Sequence, residues 1–173
     1  LARSPRRRFK RRIEHMSKVR TCLWYDGHAE EAATFYVSLL SGSAIDSISR
    51  FDHPVTGKKN GVAVVDFTLA GTPYMALDGG PEFKLSEAAS IVVRTQDQAE
   101  TDRLWSALTA NGGAESMCGW LKDRFGLSWQ IVPEALLGRL ADPDHAAAGR
   151  AMQALHAMRK IDIAGIEKAF RGA

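Results

Sequence analysis

Apolar residues recur along this chain in two rhythms, the alternation of strands and the three-to-four spacing of amphipathic helices. Val19–Tyr25 is a short, mostly apolar run and reads as a strand. Asp26-Gly27 ends it, and Asp26 is placed to cap the helix that follows. In that helix Ala32, Phe35, Tyr36, Leu39 and Leu40 form one apolar face, stopped by Ser41-Gly42-Ser43. Three strands are predicted next, over Ala44–Phe51, Val62–Leu69 and Thr72–Leu77. The last two flank Ala70-Gly71, a tight hairpin signal. The polar segment Asp52–Gly61 reads as an exposed, mobile loop.

The same order then returns. Ala88–Arg94 reads as a strand, and Asp97 with Glu100 three residues on makes a capping-box pattern. Leu104, Trp105, Ala107 and Leu108 give the buried face of a second helix, closed by Asn111-Gly112-Gly113. Met117–Lys122 and Leu127–Val132 are strands around the turn Asp123-Arg124-Phe125-Gly126. The two hairpins share a rhythm, which points to an internal duplication. After Pro133 the pattern turns helical over Glu134–Leu140, Pro143–Met158 and Ile163–Phe170. That tail is expected to pack on the sheet or on a partner subunit. The fold class is therefore α+β, with C-terminal helices.

Composition changes little, but charge does. At 173 residues the chain suits one domain able to bury a core without disulfides. Of its 23 Lys and Arg, seven lie in residues 1–15 beside one of the 20 acidic residues. That leaves 16 basic and 19 acidic residues in the rest. The basic excess thus belongs to an N-terminal arm, residues 1–15, read as an appendage to the fold. Met16-Ser17-Lys18 looks like a natural start. An arginine-rich arm could pair with phosphates, but nucleic acid is not the expected partner. No apolar run is long enough to span a membrane. Cys22 and Cys118 are far apart and in no CxxC pattern, which suits reduced thiols in a cytoplasmic setting.

Several separated motifs, in order, resemble PhnB-like proteins. They are Leu23-Trp24-Tyr25-Asp26-Gly27 with Ala29–Ala33 and Phe35-Tyr36, then Ala76–Phe83, then Cys118–Pro133, then Arg150–Ala154 with Lys160–Ile163. Those proteins belong to the vicinal-oxygen-chelate superfamily, with the glyoxalase/bleomycin-resistance/dioxygenase fold. The resemblance implies two βαβββ modules forming a curled mixed sheet around a cleft, and a homodimer. The implied boundaries are a glyoxalase-like domain over 16–133, with module one at 19–80 and module two at 88–133, and a helical tail over 134–173. Many relatives carry a demethylubiquinone methyltransferase label.

Metal-dependent members of that superfamily hold their ion with His or Glu at positions that fall here near Arg20, Ala76, Ser90 and Gln130. None is a usual ligand for a catalytic divalent metal, and the five histidines lie elsewhere in the pattern. No metal and no cofactor is therefore expected. There is no GxGxxG turn between strand and helix, no P-loop, no GxSxG elbow and no HExxH. The expected cleft residues are Trp24, Asp78, Ser90, Cys118, Trp120, Trp129 and Gln130. Aromatic side chains with a polar handle suit a flat organic ligand. Gln130 can donate and accept, which suits a neutral polar group. The leading expectation is a metal-free cleft protein binding a small organic molecule. The alternatives are a methyltransferase of the kind the label names, a metal-dependent lyase or dioxygenase, and an interaction module that uses the basic arm.

Overall fold

The computed structural model describes residues 17–53 and 59–173. The basic arm at 1–15 and the middle of the 52–61 loop, on which two sequence expectations rest, lie outside them. Contacts divide the chain into two compact units that meet at Pro81 and Glu82.

In the first unit β1 (Thr21–Tyr25) leads to α1 (Ala29–Leu39), then β2 (Ala44–Phe51), β3 (Val62–Leu69) and β4 (Thr72–Asp78). The sheet order is β1-β4-β3-β2, with β1 parallel to β4 and the other pairs antiparallel. Alternation decides the faces. Leu23, Ala76 and Val65 share one row of the ladder and are all buried. Tyr25 and Phe67 lie on the same side. Tyr25 Oη meets Tyr36 Oη of α1 at 3.1 Å, and the Tyr36 and Phe67 rings lie 6.4 Å apart. This side is the core of the unit, roofed by α1. Cys22, Trp24, Val64, Asp66, Met75 and Leu77 alternate with it and occupy the opposite, open face.

The second unit repeats the path: β5 (Ser90–Thr95), α2 (Gln98–Thr109), β6 (Ala114–Glu115), β7 (Trp120–Lys122) and β8 (Ser128–Pro133). The order β5-β8-β7-β6, with β5 parallel to β8, matches the first sheet strand for strand. Each unit is thus a βαβββ module, with its helix packed on one face of its sheet. The short strand β6 was not foreseen. Its two residues carry no alternation long enough to read.

The tail packs within the second unit. Helices α3 (Glu134–Leu140), α4 (His145–His156) and α5 (Ile163–Arg171) bury Leu136, Ala151, Leu155, Ile161 and Ile166 together. Gln98, at the start of α2, receives the Ile163 N–H at 2.8 Å and donates to the Ile161 carbonyl at 3.1 Å. Lys160 ion-pairs with Asp102 at 2.6 Å. No helix among the described residues is long and apolar enough to cross a membrane.

Candidate functional site

Strand parity sorts the expected site residues before any chemistry is considered. On β8 the sequence Ser128-Trp129-Gln130-Ile131 alternates, so Trp129 and Ile131 face α2 while Ser128 and Gln130 face away. Their ladder neighbours follow the same rule. Trp120 stands opposite Gln130, Lys122 opposite Ser128, Val92 beside Gln130 and Ser90 beside Ser128. The second unit's open face therefore gathers Ser90, Val92, Trp120, Lys122, Ser128 and Gln130. Val92 is 54% exposed there, so α2 leaves this side of the sheet uncovered.

Gln130 Nε2 donates to Ser90 Oγ at 2.9 Å. Its Oε1 has no hydrogen-bond partner among the described residues, which leaves an oriented neutral acceptor beside the half-buried Trp120 ring. Trp129 sits elsewhere. It is 1% exposed, and its Nε1–H donates to Asp123 Oδ2 at 2.8 Å. Expected from its strand as a wall of the cleft, it is placed in the core under α2. Cys118 is also displaced from the open face. Its backbone is left-handed, at φ 58°, and its side chain packs against the tail cluster.

In the first unit the open face carries Trp24. Its ring lies flat against Gly79, where an added Cβ would come within 2.2 Å of it, and its Nε1–H donates to the Gly80 carbonyl at 2.8 Å. The polar handle of Trp24 is thus already engaged, and what it offers is ring surface. Asp78 belongs to the helix side. Its Oδ1 accepts the Ala29 N–H at 2.7 Å at the start of α1. This corrects the expectation for Asp26. The helix begins after His28 with no cap from its own segment, and the neighbouring strand supplies the carboxylate. Ala76, expected at a ligand position, is wholly buried against α1; Met75 and Leu77 take the open face in its place.

Sequence reading missed Asp66. It ion-pairs with Arg20 at 2.6 Å and accepts from Ser47 Oγ at 2.9 Å, on the open face in the row where Met75 separates it from Cys22. A bulge between Ile45 and Ser47 turns Ser47 to that side. Partial burial pushes the Cys22 thiol up, against the smaller pull of Arg20, so it is no activated thiolate. Also missed were Glu87, Lys122 and Ser128, although the alternation of β8 already carried the signal for Ser128.

A metal would need donors that converge. Among the described residues no group of three or more His, Cys, Asp or Glu is placed to hold one. The positions aligned with metal ligands carry a paired guanidinium, a methyl group and a Ser–Gln pair bonded to itself. These residues do not fit a divalent cation. The helix starts are likewise engaged from within. Asp78 holds the Ala29 N–H of α1, Asp97 Oδ1 accepts the Glu100 N–H of α2 at 2.8 Å, and Glu100 Oε2 accepts the Gln96 N–H at 2.8 Å. Each helix start thus spends one of its first-turn N–H groups on a carboxylate of the chain itself.

Comparison with known proteins gives a consistent picture. Residues 17–132 match the family model described as 3-demethylubiquinone-9 3-methyltransferase. A PhnB protein from Bacillus cereus, whose structure carries the same methyltransferase description, is 35% identical, with 68% of this chain and 99% of that one covered and a TM-score of 0.61. A Pseudomonas aeruginosa protein is 25% identical over 69% of this chain and 98% of its own, with a TM-score of 0.55. A fosfomycin resistance protein of Listeria monocytogenes, 14% identical, covers 74% of this chain and 99% of its own with a TM-score of 0.51, which is a likeness of fold alone. No functionally curated protein matches the chain.

Proposed function

The chain belongs to the PhnB-like family described as 3-demethylubiquinone-9 3-methyltransferase, with the glyoxalase fold, and from that premise we propose that it binds a small, largely planar organic molecule on the open face of its second sheet, without a resident metal. The observation that carries this reading is the Ser90–Gln130 pair at 2.9 Å beside Trp120. An aromatic ring with one or two oriented neutral groups is the usual lining of a small-molecule site. The resemblance sets metal-ligand positions near this pair, and the chemistry of the pair is that of hydrogen bonding to a neutral group. The first unit has its own open face, with Trp24, Met75 and Leu77 on it.

Methyl transfer, which the family description names, is the competing reading. It requires S-adenosylmethionine to bind, and neither strand-to-helix turn, Tyr25-Asp26-Gly27-His28 or Thr95-Gln96-Asp97, carries the glycine-rich sequence of the common adenosyl-binding arrangement. Tryptophan fluorescence separates the two. Titration with flat aromatic compounds should quench it saturably, and Gln130→Ala should weaken that response. A flat signal across such a panel, together with micromolar binding of S-adenosylmethionine, would replace ligand binding by methyl transfer as the function.

A further inference from the structure

Ser128 is 1% exposed, and its Oγ is buried with no hydrogen-bond partner. A buried hydroxyl left this way costs free energy that a partner would recover. Ser128 stands directly across the ladder from Lys122. Together with Glu87, Glu115, Ser116 and Trp120 these residues line a hollow of about 240 Å³. The charged groups of the lining residues are engaged. Lys122 Nζ ion-pairs with Glu87, and Glu115 Oε1 accepts from Trp105 Nε1 at 2.7 Å. The Lys122 ammonium holds the Glu87 carboxyl below its ordinary range, so it stays ionised near neutrality. Glu115 pairs across the ladder with Leu121 and turns its carboxylate to the α2 side, and Lys122 is matched by Glu87, so the hollow has no spare positive charge for an anionic guest. That volume is enough for one substituted ring.

We infer that this hollow takes a neutral one-ring aromatic bearing a hydroxyl, with the ring against Trp120 and the hydroxyl on Ser128 Oγ, and that it rejects aromatic carboxylates. The serine can donate or accept in that bond. The inference rests on the second sheet's open face being the binding face, and it narrows that reading to one ligand chemistry.

The test uses the full chain and four compounds: phenol, catechol, benzoate and 4-hydroxybenzoate. Binding is read from the NMR signals of the tryptophan indoles and the Ser128 amide. Phenol and catechol should saturate and move the Trp120 and Ser128 signals, while the two carboxylates should bind about ten-fold more weakly or worse. Ser128→Ala should lower catechol affinity about five-fold or more, by the loss of one hydrogen bond. The unliganded variant should melt no lower than the wild type, because a methyl replaces a hydroxyl without a partner. Carboxylates that bind as tightly as phenol would overturn the inference. So would unchanged catechol affinity in Ser128→Ala, which would mean that water alone serves the hydroxyl. If Gln130→Ala weakens binding and Ser128→Ala does not, the open face remains the binding face and only the ligand assignment falls. If no compound moves any signal on the second sheet, both fall together.

Discussion

Asp123 is 3% exposed and accepts three hydrogen bonds, from Phe125 N at 2.8 Å, Leu127 N at 3.1 Å and Trp129 Nε1 at 2.8 Å. One carboxylate therefore shapes the β7–β8 turn and fastens the largest fully buried side chain of the second unit to it. Such a group tolerates burial because its lone pairs are met by fixed donors. Removing one donor leaves charge unserved. Trp129→Phe keeps most of the apolar ring and takes away the N–H, so it should cost about 2 kcal/mol. Urea unfolding measures this, and the same variant should leave aromatic-ligand affinity close to wild type because Trp129 does not reach the open face. A stable variant that had lost ligand binding would put Trp129 back on a pocket wall.

At the scale of elements, the tail is held by a short irregular step before β7. Cys118 N donates to the Met158 carbonyl and Gly119 N to the Arg159 carbonyl, both at 2.8 Å. Ile131 N donates back to the Gly119 carbonyl, also at 2.8 Å. This step ties the loop between α4 and α5 to the sheet through backbone groups alone. Gly119 has φ +81°, and an added Cβ would stand 2.8 Å from both Ile131 O and Ile161 Cδ1. Only glycine meets both demands. Gly119→Ala should destabilise the protein by about 2 kcal/mol and speed hydrogen exchange in α4 and α5 first. A wild-type unfolding midpoint would show that the tail does not depend on this step.

At the scale of the whole molecule, the expected helical tail spends its apolar side inside its own unit. Leu137 at 41% and Met152 at 38% are the large apolar side chains the tail leaves exposed. The strand β2 is the edge of the first sheet and keeps Ile48 at 43% and Phe51 at 56% exposure. Edge strands with exposed apolar side chains are normally covered. We expect a homodimer, with light scattering giving twice the 18.9 kDa chain mass. A monomer over a wide concentration range would remove this expectation.

How far the sequence carried this reading depends on the range of the interactions. Alternation and helical spacing placed Val62–Leu69, Thr72–Asp78 and α2 with little error, because those signals lie in adjacent residues. The capping role of Asp97 was legible for the same reason. Contacts between distant segments were not. Asp78 rather than Asp26 caps α1 across 49 residues of chain. Trp129 turns inward while Gln130, its neighbour, turns out, and a register known only to within a residue cannot tell the two apart. Cys118 looked like a site residue until its left-handed backbone and the tail cluster accounted for it. The sequence by itself determined a strand–helix–strand order that occurs twice, with β6 the strand it did not show. Tertiary structure alone decided which side chains share the open face, because strand parity and pairing across the ladder depend on partners far apart in the chain.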